Sequence, residues 1–442
     1  MNLIKNYFSY FFLLISILLC AYIFYKSEIY WNGDIRYYYF KYYIVCSLLL
    51  LFSLLSFYLS LNIKIYITII MISAAFGLYS FEIYLNYFKK GLGYDNQTKE
   101  QAYTKIKDEI PNLVLEVTPS NYFDNDVDVL PLSGISKSKT LGCNDSGYFS
   151  IIKTDRYGFN NPDEVWNKNE VDYVLIGDSF TLGSCVNRPH DIGSVLRKIS
   201  KKSVLNLGIG GNGPLSSYAS LKEYLPKKTK NIVWFYFEGN DNENLISELK
   251  NKFLKKYYNE KNFIQNLKNK QNIIDSMGKN EIQKLISKKN IKKTQTVFDR
   301  IKIIKLNEVR LIIRVNYKKL LNYFENNNSE INKDLPSNEF IEIITLTKNI
   351  AKEINSDLYF VYLPEYSRFN NKYNNDNYKK IKEIINEYDI NFIDIIEEVF
   401  KKEKEPLKLF PVNLGKKVDV HYNEEGYFKV GKKVYEIINK EN

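Results

Sequence analysis

Histidine is almost missing from this chain. Only His190 and His421 occur among 442 residues. Any chemistry that needs an imidazole base at neutral pH must therefore run through one of two positions. Cysteine is also scarce, with four residues, and none has a Cys/His spacing suited to zinc. The net charge of +11 comes without an arginine-rich patch or a nucleic-acid motif. It reflects a bias toward Lys, Asn, Ile and Tyr along most of the chain, so no nucleic-acid partner is expected. No repeat of fixed period is visible, which excludes a solenoid.

Long apolar runs are present, and all lie in the first ninety residues. Residues 7–25 carry no charge, residues 42–61 form a second run, and residues 65–88 a third interrupted by Glu82. Each is about the length of a bilayer span. A signal peptide would have one short apolar core followed by soluble chain. Three successive runs predict a membrane anchor of three transmembrane helices over residues 1–90, with Glu82 snorkelling to the interface or pairing within the bundle. Three spans put the termini on opposite sides. Lys5 and Lys64 on one side face Lys26, Arg36, Lys41, Lys89 and Lys90 on the other, a count that by itself places the C-terminal part in the cytoplasm. Cys20 and Cys46 fall in the spans. Cys143 and Cys185 fall in polar, loop-like contexts that suit either a disulfide in an oxidising compartment or two unrelated thiols.

Residues 91–165 read as a polar linker followed by a β-rich lead-in. From 171 the pattern alternates: VDYVLIG, a helical stretch, SVLNLGIGGNG, a second helical stretch, then NIVWFYFEGND. Further helix–strand pairs follow in the 340–395 region. Such alternation predicts an α/β fold with a parallel sheet covered on both faces over residues 166–442. In such sheets functional groups gather at the carboxyl ends of strands. Residues 243–335 are Lys-, Asn- and Glu-rich with helical periodicity. They read as a helical insertion, either a lid or partner surface or solvated helices padding one edge of the sheet.

Three clusters sit at strand ends: Gly177-Asp178-Ser179-Phe180, the glycine turn at 208–213, and Glu238-Gly239-Asn240-Asp241. His421 lies in a loop before the last helical stretch. Acyl transfer by serine needs an activated hydroxyl, a base, and donors aimed at the developing oxyanion. Glycine turns supply unobstructed backbone N–H groups. His190 reads as a structural, solvent-facing residue at the start of a helix.

These blocks resemble the SGNH (GDSL-like) hydrolase superfamily over about residues 171–442. The Gly-Asp-Ser-Phe block, Asn206 with Gly211 five residues on, the Gly-Asn-Asp block and His421 carry the resemblance. It implies a three-layer, flavodoxin-like parallel-sheet domain. Ser179 would be the nucleophile, His421 the base, and Gly211, Asn240 and the Ser179 amide the oxyanion hole. The family places an Asp three residues before the His; here that position is Val418, and Asp419 lies two before. In an extended segment residues two apart share a face, so Asp419 is the expected acid, with a Ser–His dyad as the alternative. Glu424 and Glu425 are weaker candidates.

Multi-span segments joined to such a domain look like bacterial inner-membrane proteins of envelope-glycan modification. The resemblance therefore implies an extracytoplasmic catalytic domain, against the charge count, and a Cys143–Cys185 disulfide pinning the lead-in to the active-site rim. The expected function is a serine esterase or O-acyltransferase moving short acyl groups, acetyl above all, on envelope carbohydrate. It requires no metal or organic cofactor. The implied partners are an acylated glycan and a membrane acyl donor. Two alternatives stand beside it: a catalytically silent scaffold or glycan-binding subunit, and a lipase-like enzyme acting on membrane lipid.

Overall fold

The computed structural model describes residues 2–33, 36–87, 98–123, 127–291, 306, 309–310, 336–369, 373–411 and 421–440. The chain divides into two compact units. One comprises Met1–Gly91 with Gln295–Asn327; the other comprises Leu92–Thr294 with Asn328–Asn442.

The first unit contains three helices long and apolar enough to cross a membrane, within Asn6–Tyr30, Arg36–Tyr58 and Leu61–Tyr84. Their outward faces are apolar, with Phe40, Leu48, Ile70 and Phe76 exposed, as lipid contact requires. Glu82 is buried, and its Oε2 accepts the Val309 backbone N–H at 2.9 Å. This carboxylate is thus satisfied inside the unit rather than turned toward an interface.

The second unit is built on two sheets. β1 (Leu113–Leu115), β2 (Lys139–Leu141) and β3 (Ile151–Lys153) form a small mixed sheet in the lead-in. β4 (Val171–Ile176), β5 (Val204–Asn206), β6 (Thr229–Phe237), β7 (Asp357–Leu363) and β8 (Asn391–Asp394) form the main sheet. Its order is β5-β4-β6-β7-β8, with every pairing parallel. Helices link successive strands: Ile192–Ser200, Pro214–Tyr224, Asn338–Glu353 and Asp376–Glu387. This is the flavodoxin-like doubly wound order, and its switch point lies where β4 separates β5 from β6.

Side-chain alternation assigns the two faces. Ile232, Trp234, Tyr236, Phe360 and Tyr362 belong to one core; Val233, Phe235, Phe237, Val361 and Leu363 belong to the other. Successive strand residues point to opposite faces, and both faces are covered. That is why β6 and β7 are near-continuous apolar runs rather than alternating ones. The C-terminal helix Glu424–Ile438 covers the second face through Val430, Val434 and Ile438. The lead-in shares the first core through Leu115, Leu130, Leu132, Leu141 and Phe159 and belongs to this unit.

The insertion departs from the expectation of solvated helices over its described part. Leu245, Leu254, Tyr257, Leu267, Ile274 and Ile282 are buried in the first core. Glu223, on Pro214–Tyr224, accepts the Tyr257 hydroxyl at 2.6 Å and the Leu267 N–H at 2.9 Å. Gln265 in turn accepts the Leu130 N–H at 2.8 Å. These bonds tie insertion, helix and lead-in together. Most of 292–335 lies outside the described residues.

Candidate active site

The turn after β4 sets the geometry. Gly177 has φ +147°, and a Cβ there would lie 2.2 Å from Thr181 Oγ1 and 2.5 Å from the Phe235 carbonyl. Only glycine fits such a turn. Asp178 then caps the short helix Ser179–Leu182, accepting the Phe180 N–H at 2.8 Å. Burial raises the Asp178 carboxyl to about 6. Ser179 opens the helix at the switch point, where its own N–H has no intrahelical acceptor.

The second strand end is held by two buried polar groups. Asn206 donates to the Thr181 carbonyl at 2.6 Å and accepts the Gly208 N–H at 2.8 Å. Gly208 packs directly on the nucleophile helix, and a Cβ there would be 2.6 Å from the Leu182 nitrogen. Glu248 caps the following helix Pro214–Tyr224, accepting the N–H groups of Gly213 at 2.6 Å, Leu215 at 3.0 Å and Ser216 at 3.2 Å. Burial lifts the Glu248 carboxyl to about 7.

His421 precedes the C-terminal helix, and its Nε2 lies 2.9 Å from Ser179 Oγ. Its Nδ1 lies 2.9 Å from Asp145 Oδ2, and its backbone N–H donates to the same oxygen at 3.1 Å. A carboxylate only accepts, so Nδ1 carries the proton and Nε2 offers its lone pair to the serine hydroxyl. The structure thus aligns Asp145, His421 and Ser179 in one hydrogen-bonded chain, the arrangement used to activate a serine. Phe180 packs against the imidazole, ring centroids 5.0 Å apart, and stacks on Phe237 at 4.0 Å. Ser179 Oγ has a second, longer contact to Asp178 Oδ2 at 3.3 Å.

Asp145 is the carboxylate that the structure places on the imidazole. Asp419 lies outside the described residues, and the carboxylate seated on the imidazole comes from the lead-in, 276 positions away in sequence. Sequence reasoning missed it because it searched beside the histidine. The available signal was Cys143, two residues earlier. Cys143 and Cys185 are joined in a disulfide with Cα atoms 4.8 Å apart, which carries the Asp145 loop to the nucleophile turn. Glu424 meets the Tyr148 hydroxyl at 3.1 Å and His190 Nδ1 at 3.5 Å, while Glu425 pairs with Lys429. His190 is therefore engaged at the edge of the site and not on Ser179.

A cleft of about 290 Å³ opens over Ser179 and His421, lined also by Phe180, Ser184, Gly210, Phe237 and Asn240, with Lys99, Glu116, Thr118 and Cys143 from the lead-in. The glycine of the turn that lines it is Gly210. The expected Gly211 follows in the left-handed region at φ +77° and is exposed. Asn240 stands at the N-cap position of the helix Asp241–Glu248, makes no side-chain capping bond there, and lines the cleft. Lys99 and Glu116 form an ion pair of 2.7 Å on the lead-in side of the cleft.

Cys143, Asp145, Cys185 and His421 offer four donor atoms within 4.8 Å of one another. With the sulfurs joined to each other they are not thiolates, and zinc binds thiolates. The set therefore does not fit a resident metal.

No family model matches the chain, and no curated protein sequence does. Among solved structures, the chain is similar to a protein assigned as lipolytic, of the G-D-S-L family, from Desulfitobacterium hafniense DCB-2. The identity is 14%, over 61% of this chain and 99% of that one, with a TM-score of 0.32.

Proposed function

We propose that this protein is a membrane-anchored serine esterase or O-acyltransferase that removes or transfers short acyl groups, acetyl above all, on envelope carbohydrate. One observation carries the reading: the unbroken Asp145–His421–Ser179 hydrogen-bond chain at the switch point of a parallel sheet, opening on a cleft. Ser179 Oγ attacks the ester carbonyl as His421 Nε2 takes its proton. The tetrahedral intermediate expels the alcohol, which receives that proton. Water or a sugar hydroxyl then attacks the acyl-enzyme with His421 again as base, regenerating Ser179. The Ser179 N–H, an N–H of the Gly210–Gly211 turn and the Asn240 amide are the donors for the oxyanion. Asp145 holds the tautomer and stabilises the imidazolium. The apolar ring of Phe237 beside Ser179 suits a short acyl group, and the polar lead-in wall suits a hydroxyl-rich acceptor. The anchor suits a substrate presented at a bilayer surface, with the catalytic domain on the extracytoplasmic side of the bacterial inner membrane. A silent scaffold drew its support from a missing acid, and Asp145 fills that place.

The test is covalent labelling of the full chain with a fluorophosphonate, followed by peptide mass spectrometry. The adduct is expected on Ser179, absent in Ser179→Ala and strongly reduced in His421→Ala. A folded protein that takes up no label would overturn the reading.

A further inference from the structure

Asp145 sits in an unusual place for a residue on which a catalytic histidine depends. It belongs to the loop over residues 142–150 that joins β2 to β3, two strands of three residues each. The loop base is closed by the Gly142 N–H to the Ser150 carbonyl at 2.8 Å and the Ser150 N–H to the Cys143 carbonyl at 3.0 Å. Beyond that base, the loop tip is held by bonds that include the two from His421 to Asp145 and that of Tyr148 to Glu424, and by Phe149 packed against the first core. The covalent tie is the disulfide, at Cys143, two residues before Asp145, and it spans 42 positions of sequence.

Its other end is built into the nucleophile turn. Ser184 donates its N–H to the Ser179 carbonyl at 2.9 Å, and its own carbonyl accepts the Tyr427 hydroxyl at 3.1 Å. Cys185 follows in the left-handed region at φ +65°, fully buried. Its Sγ lies 3.3 Å from His421 Nδ1, on the same side of the ring as Asp145. One crosslink thus joins the turn that carries the nucleophile to the loop that carries the acid, with the imidazole between them.

We propose that the Cys143–Cys185 bridge positions Asp145 for the site, so that the Ser179–His421–Asp145 chain is complete only in the oxidised protein. The role rests on the functional reading above; the geometry it depends on does not. Reduction by a dithiol breaks the S–S bond. Two electrons and two protons pass to Cys143 and Cys185 as thiols, and the dithiol closes to its own disulfide. The loop then keeps its short base, its side-chain bonds and the packing of Phe149, but loses the covalent tie two residues from Asp145. A carboxylate misplaced by about 1 Å loses much of its effect on an oriented base. Cys143 and Cys185 are positioning residues, acting through Asp145.

The experiment uses the full chain in detergent, with a chelator present because the freed thiols beside His421 and Asp145 would form a metal ligand set. Amide exchange at His421 and the rate of p-nitrophenyl acetate hydrolysis are compared in the oxidised protein, after dithiothreitol, and in Cys143→Ser/Cys185→Ser, each with and without Asp145→Ala. The His421 N–H is protected by Asp145, so reduction is expected to speed its exchange at least tenfold, on the order of the loss of one oriented contact. Hydrolysis is expected to fall by a similar or larger factor. In the Asp145→Ala background neither change should appear, because the contact the bridge secures is already gone. Unchanged exchange at His421 on reduction overturns the proposal. So does an equal loss of rate with and without Asp145, since that marks general destabilisation. An oxidised chain whose exchange responds to reduction but which neither hydrolyses ester nor labels at Ser179 refutes the functional reading and leaves the positioning role standing.

Discussion

At His421 the contact on Nδ1 separates an oriented base from a free one. Asp145→Asn retains the shape of the acid but replaces an acceptor-only carboxylate by a neutral amide, which neither stabilises the imidazolium nor fixes one tautomer. It should lower kcat by about 10²–10⁴-fold with a far smaller change in KM. Asp419→Asn should stay near the parent rate, as checked by steady-state ester hydrolysis. Removing the Asn240 amide, as in Asn240→Ala, should cost about 10²–10³-fold in kcat, the usual value of one oxyanion donor. That Ser179, Asn240 and His421 line one cleft was legible because each belongs to a short motif at a strand end or before a helix, where local sequence dictates position. Asp145 was not. It lies in an aperiodic loop, and its distance from His421 is set by a disulfide and by tertiary packing, neither of which leaves a periodic trace. Gly210, rather than Gly211, lines the cleft for a related reason: adjacent glycines in a tight turn face different ways, and spacing alone does not say which.

The elements around the site are held by buried carboxylates, and these make stability depend on pH. Burial raises the Glu248 carboxyl from 4.5 to about 7 and the Asp178 carboxyl from 3.8 to about 6. The folded chain therefore keeps protons that the unfolded chain releases. This contribution is complete below about pH 4 and is lost as pH rises through about 6 to 7. It amounts to at most about 3 kcal/mol for Glu248. Denaturant titrations at several pH values should show unfolding free energy declining across that window, with a shallower decline in Glu248→Gln. Gly177→Ala should destabilise by about 2 kcal/mol or more, since it forces a Cβ into Thr181 and the Phe235 carbonyl at a positive φ. Strands β4, β6 and β7 could be read from sequence because burial on both faces makes them continuous apolar runs. The helical character of the insertion was legible too, but its burial was not. Their buried residues, such as Leu254 and Tyr257, are spaced among lysines and asparagines that mask the apolar stripe.

Over the whole molecule, one unit carries three helices long and apolar enough to cross a membrane, and in the other the lead-in and the sheet share one core. Cys143 and Cys185 are bridged, while Cys20 and Cys46 are free. Mass tagging of the denatured full chain should therefore modify two thiols before reduction and four after. Four before reduction would mean that the bridge does not form where the protein resides. Residence itself is checked by alkaline extraction, which should leave the chain in the membrane fraction. The central claim is that acyl groups pass through Ser179. Its most direct test is to mix the full chain with excess p-nitrophenyl acetate, quench in acid before turnover is complete, and map the peptides. The account predicts one acetyl group on the peptide that contains Ser179, abolished by Ser179→Ala. Ester hydrolysis that persists in Ser179→Ala, or an acetyl group carried on another residue, would contradict it.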